Sequence, residues 1–167
     1  VEDYLTMAAH KTAFYSGGVP LAVGAIIGGG SEEQIETLRA YGMSTGLAFQ
    51  IQDDLLNLVG TEEATRKDFR GDITEGKRTL VVVHALEYTQ GNAHDELIDI
   101  LSSKETDPES LERAVQIMRE AGSIDFARSY AIKLAHDHQH DVEAVLPATP
   151  MRKLLVSMGD FFVSRLS

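Results

Sequence analysis

Apolar and polar positions along the chain recur at helical spacing through most of its length. Tyr4, Met7, Ala8, Lys11 and Thr12 share one helical pattern that continues through Ala13 and Phe14 toward Gly17-Gly18 and Pro20, which predicts a helix, a break and a second short helix. Gly28-Gly29-Gly30 reads as a turn, and Ser31 with Gln34 forms a capping-box pattern that opens a helix running to about Val59. Within it Leu47, Ile51, Leu55 and Leu58 lie at i, i+4, i+8 and i+11, a stripe that belongs on the core side. Residues 60–76 are polar and charged without a period, a 17-residue connection of a length more often functional than structural. The next helix is expected to open near Gly76, to carry Leu80, Val83, His84 and Leu86, and to end at Gly91-Asn92. Further helices are predicted at roughly 93–102, 109–120, 123–145 and 149–166, divided by Asp107-Pro108, Gly122 and Pro147 to Pro150. No segment alternates as a strand and no repeat is visible, so the expectation is an all-α bundle forming one domain over residues 1–167.

Composition narrows what such a bundle can do. A chain of 167 residues, 43% of them hydrophobic, has room for one continuous core. Its 26 acidic and 15 basic residues give a net charge of −11, which disfavours a broad surface for nucleic acid or anionic membrane. An anionic ligand must then be met by a local cluster of Lys and Arg, or by a metal. The absence of Cys removes disulfides, thiolate metal sites and thiol nucleophiles, and fits a reducing, cytoplasmic setting. The most apolar stretch, Val19–Ile27, has nine residues broken by Pro20 and Gly24, far short of the ~20 that span a bilayer, so no transmembrane segment is expected. Val1-Glu2-Asp3-Tyr4 lacks the basic start of a signal peptide. It also starts within a helical pattern and without Met, from which upstream sequence is expected.

The chemistry is concentrated after the middle of the long helix. Gln50, Asp53 and Asn57 lie at i, i+3 and i+7, aligning an amide, a carboxylate and a second amide on one face with Asp54 beside them. Magnesium prefers oxygen ligands and keeps several waters, so one or two carboxylates suffice where phosphate oxygens supply the rest. An isolated Asp-Asp pair is usually just solvated. Here the segment Lys67-Asp68-Phe69-Arg70-Gly71-Asp72-Ile73-Thr74-Glu75-Gly76-Lys77-Arg78-Thr79 follows closely, with two lysines and two arginines that could share the charge of a diphosphate with a metal. Backbone N–H groups at a helix start near Gly76 could also face an anion. A charged surface loop that pairs internally fits the same residues, and these residues alone leave the two readings level.

Phe49-Gln50-Ile51-Gln52-Asp53-Asp54-Leu55-Leu56-Asn57 resembles the second aspartate-rich motif of the trans-isoprenyl diphosphate synthases, and Lys67 to Leu80 resembles the segment that follows it in that family. Lys67, Asp72, Gly76, Lys77, Thr79 and Leu80 match the family pattern there. Tyr4, Met7, Lys11, Thr12 and Ala13 resemble the helix with the family's Lys-Thr pair, and Phe161-Phe162-Val163-Ser164-Arg165 its last helix. The resemblance implies an all-α bundle of the isoprenoid synthase type, incomplete at the amino terminus because the first aspartate-rich motif would lie upstream of residue 1. Asn57 stands where the family usually has Asp.

By the same resemblance the chain is part of a prenyltransferase of isoprenoid biosynthesis, condensing isopentenyl diphosphate with an allylic diphosphate with Mg2+ as cofactor. Asp53 is then the direct metal ligand, with Asp54 and Asn57 supporting the metal or its waters. Lys11, Lys67 and Lys77 contact the allylic diphosphate, Thr12 and Gln50 line the cavity near the reacting carbon, and a homodimer is implied. Residues 1–167 alone are expected to be inactive. A non-catalytic partner subunit that sets product length is the alternative, against which the retention of Lys11, Asp53, Lys67, Asp72 and Lys77 argues; a plain helical interaction module is the third reading. His84 reads as a core or helix-surface residue. His136, His138 and His140, at i+2 spacing, scatter around a helix by roughly 200° per step and read as surface. Met43, Met118 and Met158 read as core filler, and Glu105 to Glu112 as a solvated acidic face.

Overall fold

Ser31 and Gln34 close the expected capping box: the Ser31 N–H donates to Gln34 Oε1 at 3.0 Å and the Gln34 N–H to Ser31 Oγ at 3.2 Å. The helix it opens, α3, runs Glu32–Val59. In the computed structural model, which describes residues 1–60, 70–103 and 107–164, it is preceded by α1 (Glu2–Ala8), a π-helical segment (Ala9–Gly18) and α2 (Val19–Ile27). After it come α4 (Gly71–Thr74), α5 (Leu80–Tyr88), α6 (Asn92–Ser103), α7 (Pro108–Glu120), α8 (Ser123–His136), α9 (Gln139–Val145) and α10 (Pro150–Val163). Among the described residues there is no strand, in line with the all-α expectation, and no helix is long and apolar enough to cross a membrane.

Three boundaries differ from the sequence reading. Gly17-Gly18 does not break the chain; Gly18 keeps helical angles, and the Val19 N–H donates to the Phe14 carbonyl five residues back. Pro20 has no N–H for the carbonyl of Ser16, so the wider π pattern sacrifices nothing there that an α pattern would keep. The predicted 123–145 helix is divided at His138, whose φ of 66° is left-handed. Gly76, at φ 66°, ends the α4 turn rather than starting a helix, and its N–H already donates to the Ile73 carbonyl at 2.9 Å. A Cβ there would also meet the Leu101 carbonyl oxygen at 2.9 Å. Helix α5 begins only after Thr79, whose hydroxyl caps the Val82 N–H.

The backbone clusters into two units, and the division falls within α1, α3 and α8. The first holds Val1–Tyr4 and the described residues of Asp53–Ser129. In it α6 packs on α7, with α4 and α5 against both. Leu55, Ile73, Leu80, Val81, Leu97, Val115, Ile117 and Met118 are its most buried large side chains. His84 is buried here as well, its Nδ1 2.8 Å from Ser123 Oγ and its ring stacked between Tyr88 and Phe126 at 4.3 and 4.1 Å. Of the expected acidic face, Glu109 and Glu112 are exposed, while Glu105 lies outside the described residues.

The second unit holds Leu5–Gln52 and the described residues from Tyr130 onward. Leu38, Tyr41 and Val142 form a buried cluster against Leu21, Leu146, Leu155 and Val156, and the Tyr41 hydroxyl donates to the Leu155 carbonyl at 2.9 Å. In the expected stripe Ile51 is fully buried and Leu47 half-buried. The π segment lies directly on α3: a Cβ on Gly17 would fall 2.1 Å from the Gly42 carbonyl oxygen, and one on Gly42 2.4 Å from that of Gly17. Met158 is not core filler; it is 42% exposed on the wall of a cavity, because α10 turns this face to open space. His136 pairs with Asp160 at 2.9 Å and His138 with Asp141 at 2.9 Å, both at the surface.

Two predictions follow from this packing. Gly42→Ala is expected to cost about 1–3 kcal/mol, since neither backbone can retreat without disturbing the helix it belongs to; an unfolding midpoint in urea equal to wild type would contradict the contact. Burial lowers the His84 imidazole below its ordinary value, with Glu87 acting against the shift. A depressed folded-state value means that the stabilisation is complete above the unfolded value of about 6.5 and is lost as pH falls through the folded one. The stability advantage of wild type over His84→Leu should therefore shrink between about pH 7.5 and about pH 5, and an advantage that stays constant over that range contradicts the burial argument.

Candidate active site

The last two turns of α3 present their polar face within the first unit. Asp53 is exposed, whereas Asp54 and Asn57 are half-buried, because Leu55 and Leu58 on the other flank are drawn into the core. Tyr4, only 6% exposed, donates its phenol to Asp54 Oδ2 at 2.9 Å. Burial, followed by the charge of Asp54, raises the Tyr4 pKa far above its ordinary value, so the phenol remains a donor throughout the neutral range. The two partners lie fifty residues apart, beyond the reach of helical spacing; the apolar residue at i+4, Ala8, buried like Tyr4, was the local signal that this flank faces inward.

Asn57 accepts two backbone N–H groups from the segment that follows: its carbonyl takes that of Arg70 at 2.9 Å and its side-chain Oδ1 that of Asp72 at 3.1 Å. Arg70, with a left-handed φ of 60°, turns the chain into α4 and places its guanidinium on Glu112. Asp72 in turn holds Lys77: the Lys77 N–H reaches the Asp72 carbonyl at 2.9 Å, and Nζ donates to Asp72 Oδ1 at 2.7 Å. Glu75 lies 3.0 Å from the same ammonium. The hydrogen bond that Lys77 donates to Asp72, then that to Glu75, raises the Lys77 pKa, so this half-exposed cation stays charged at any ordinary pH. The structure thus gathers Asp53, Asp54, Asn57, Asp72 and Lys77 in one unit. Lys67 lies outside the described residues.

The second unit holds Lys11, Thr12 and Gln50. Lys11 is exposed on the π segment, a helix type that often marks functional positions. Thr12 borders a cavity of about 310 Å3 lined mostly by apolar groups, among them Leu21, Phe49 and Phe162, the last two meeting edge to face at 5.3 Å. Gln50 is half-buried and does not line it.

Among the described residues no three His, Cys, Asp or Glu side chains come together to hold a metal ion by themselves.

A family profile described as polyprenyl synthetase matches residues 1–118. The geranylfarnesyl diphosphate synthase of Natronomonas pharaonis is 38% identical over 98% of this chain and 46% of its own length. The short chain isoprenyl diphosphate synthase of Methanothermobacter thermautotrophicus is also 38% identical, over 98% of this chain and 49% of its own. Among solved structures, geranylgeranyl pyrophosphate synthase from Corynebacterium glutamicum, complexed with isoprenyl diphosphate and magnesium, superposes with a TM-score of 0.90 at 30% identity, covering 98% of this chain and 46% of that one. A polyprenyl synthase from Caulobacter crescentus, complexed with calcium and isoprenyl diphosphate, gives 0.87 at 30% identity over 98% and 49%. The chain spans about half the length of these relatives. With the acidic end of α3 and the Asp72–Lys77 turn in place, and with the profile covering both, the chain belongs to the polyprenyl synthetase family.

Proposed function

We propose that the full-length protein is a prenyltransferase that condenses isopentenyl diphosphate with an allylic diphosphate to form a longer isoprenyl diphosphate, in the cytoplasm and as a homodimer. The observation that carries this reading is the joining of α3's carboxylates to a lysine-bearing turn through Asn57 and Asp72. Acids and a cation held side by side in a protein of net charge −11 suit a ligand that is itself a polyanion bound with a metal.

In this reading Asp53 binds Mg2+ directly, and Asp54 and Asn57 support it. Magnesium, when bound, supplies positive charge that stabilises the diphosphate as it departs. Lys11, Lys67 and Lys77 contact the allylic diphosphate. Lys77 is well suited to this: its ammonium has three donors, and Asp72 and Glu75 occupy two, which orients the third. Thr12, on the wall of the apolar cavity, and Gln50, which lies off that wall, are assigned to the region of the reacting carbon, where hydroxyl and amide dipoles stabilise positive charge left on the allyl group. The reaction is ionisation, condensation and proton loss. None of these steps calls for a protein nucleophile, so the absence of Cys removes nothing from it.

Asp53→Ala and Lys77→Ala in the full-length protein are each expected to lower turnover at least about a hundredfold; near-normal steady-state rates in both would refute the assignment. Because the relatives carry about as much chain again, residues 1–167 expressed alone are expected to yield no product, and measurable product from them would show that the other half is dispensable.

A further inference from the structure

Asn57, expected beside the metal, also has its side-chain oxygen engaged within the protein. Arg70 is the N-cap residue of α4, and its own side chain makes no capping bond. The orphan N–H of Asp72, two residues on, is taken instead by Asn57 Oδ1 at 3.1 Å, across fifteen residues of sequence. That is the position an N-cap oxygen normally serves, so Asn57 caps α4 through space. Its main-chain carbonyl adds a second tie, to the Arg70 N–H at 2.9 Å. The capped residue is also the one that holds Lys77, through both its carbonyl at 2.9 Å and its carboxylate at 2.7 Å.

We propose that Asn57 is a positioning residue: it supports the site by capping the α4 turn, and through Asp72 sets where the Lys77 ammonium stands relative to the acidic end of α3. The inference rests on the diphosphate-binding reading and deepens it. An amide meets this need as well as a carboxylate does, because the capping bond asks for an acceptor oxygen and not for charge. Asn in place of the family's usual Asp therefore preserves the turn, while adding no further negative charge beside Asp53, Asp54 and Asp72.

The test is made on the full-length protein with Asn57→Leu, which keeps the shape and removes the acceptor, and with Asn57→Asp, which keeps the acceptor. Amide hydrogen exchange is followed first without metal, where a role confined to metal ligation would leave no trace. Exchange over residues 70–77 should speed up about fivefold in Asn57→Leu, the loss expected for one hydrogen bond, and stay within about twofold of wild type in Asn57→Asp. Binding of inorganic pyrophosphate at saturating magnesium should then weaken about fivefold in Asn57→Leu. Unchanged metal-free exchange in Asn57→Leu overturns the proposal, as does faster exchange with pyrophosphate affinity intact. Should Asn57→Leu fail to fold, Asn57→Ala carries the same comparison. If wild type itself binds no pyrophosphate with magnesium, the functional reading fails and the positioning role with it, while the metal-free exchange still reports on the cap.

Discussion

A continuous helix cannot turn its apolar and polar positions independently, and α3 is 28 residues of that constraint. Once Leu55 and Leu58 are drawn into the core of their unit, Asp53 and Asn57 have no choice but the opposite flank. Hydrophobic burial of the stripe thus turns the carboxylate-bearing flank outward. Burial of a single Leu or Ile side chain contributes on the order of 1.5–3 kcal/mol, and the stripe holds several, so the orientation of the acidic face is strongly determined. Tyr4 refines it further, since its buried phenol donates to Asp54, while Asp53 beside it stays exposed.

The second organising feature is electrostatic. In a chain of net charge −11, a lysine near several acids costs little to keep charged and much to leave without direction. Asp72 and Glu75 supply the direction for Lys77. At a half-exposed position such pairs contribute little to stability; their consequence here is geometric. The same economy recurs at Arg113, whose guanidinium makes a bidentate pair with Glu96, and at Arg70 with Glu112. In these described pairs the scarce cations are held by acids of the same unit.

In the second unit close packing takes the place of charge. Gly17 and Gly42 let the π segment approach α3 to backbone contact, and Ala13 meets Gly46 in the same seam. Lys11 and Thr12 ride on that segment, so their placement depends on glycines several residues away in sequence.

Much of this was written in the sequence. Period, capping box and glycine punctuation sufficed for an all-helical chain, for α3 with its buried stripe, and for the acidic face followed by basic residues, because each depends only on neighbours within a few positions. The tertiary structure decided what depends on distant partners or on competition between them. A predicted break at Gly17-Gly18 became a continuous π segment, a left-handed His138 split a helix, and Gly76 ended a turn instead of opening one. The same holds for the site: composition announces Asn57, Asp72 and Tyr4 as polar residues, but only folding brings Oδ1 of one to the N–H of another fifteen residues on, or a phenol to a carboxylate fifty residues away. Spacing along a helix is set by the backbone itself, whereas a hydrogen bond across a chain reversal exists only once the core has chosen how the segments meet.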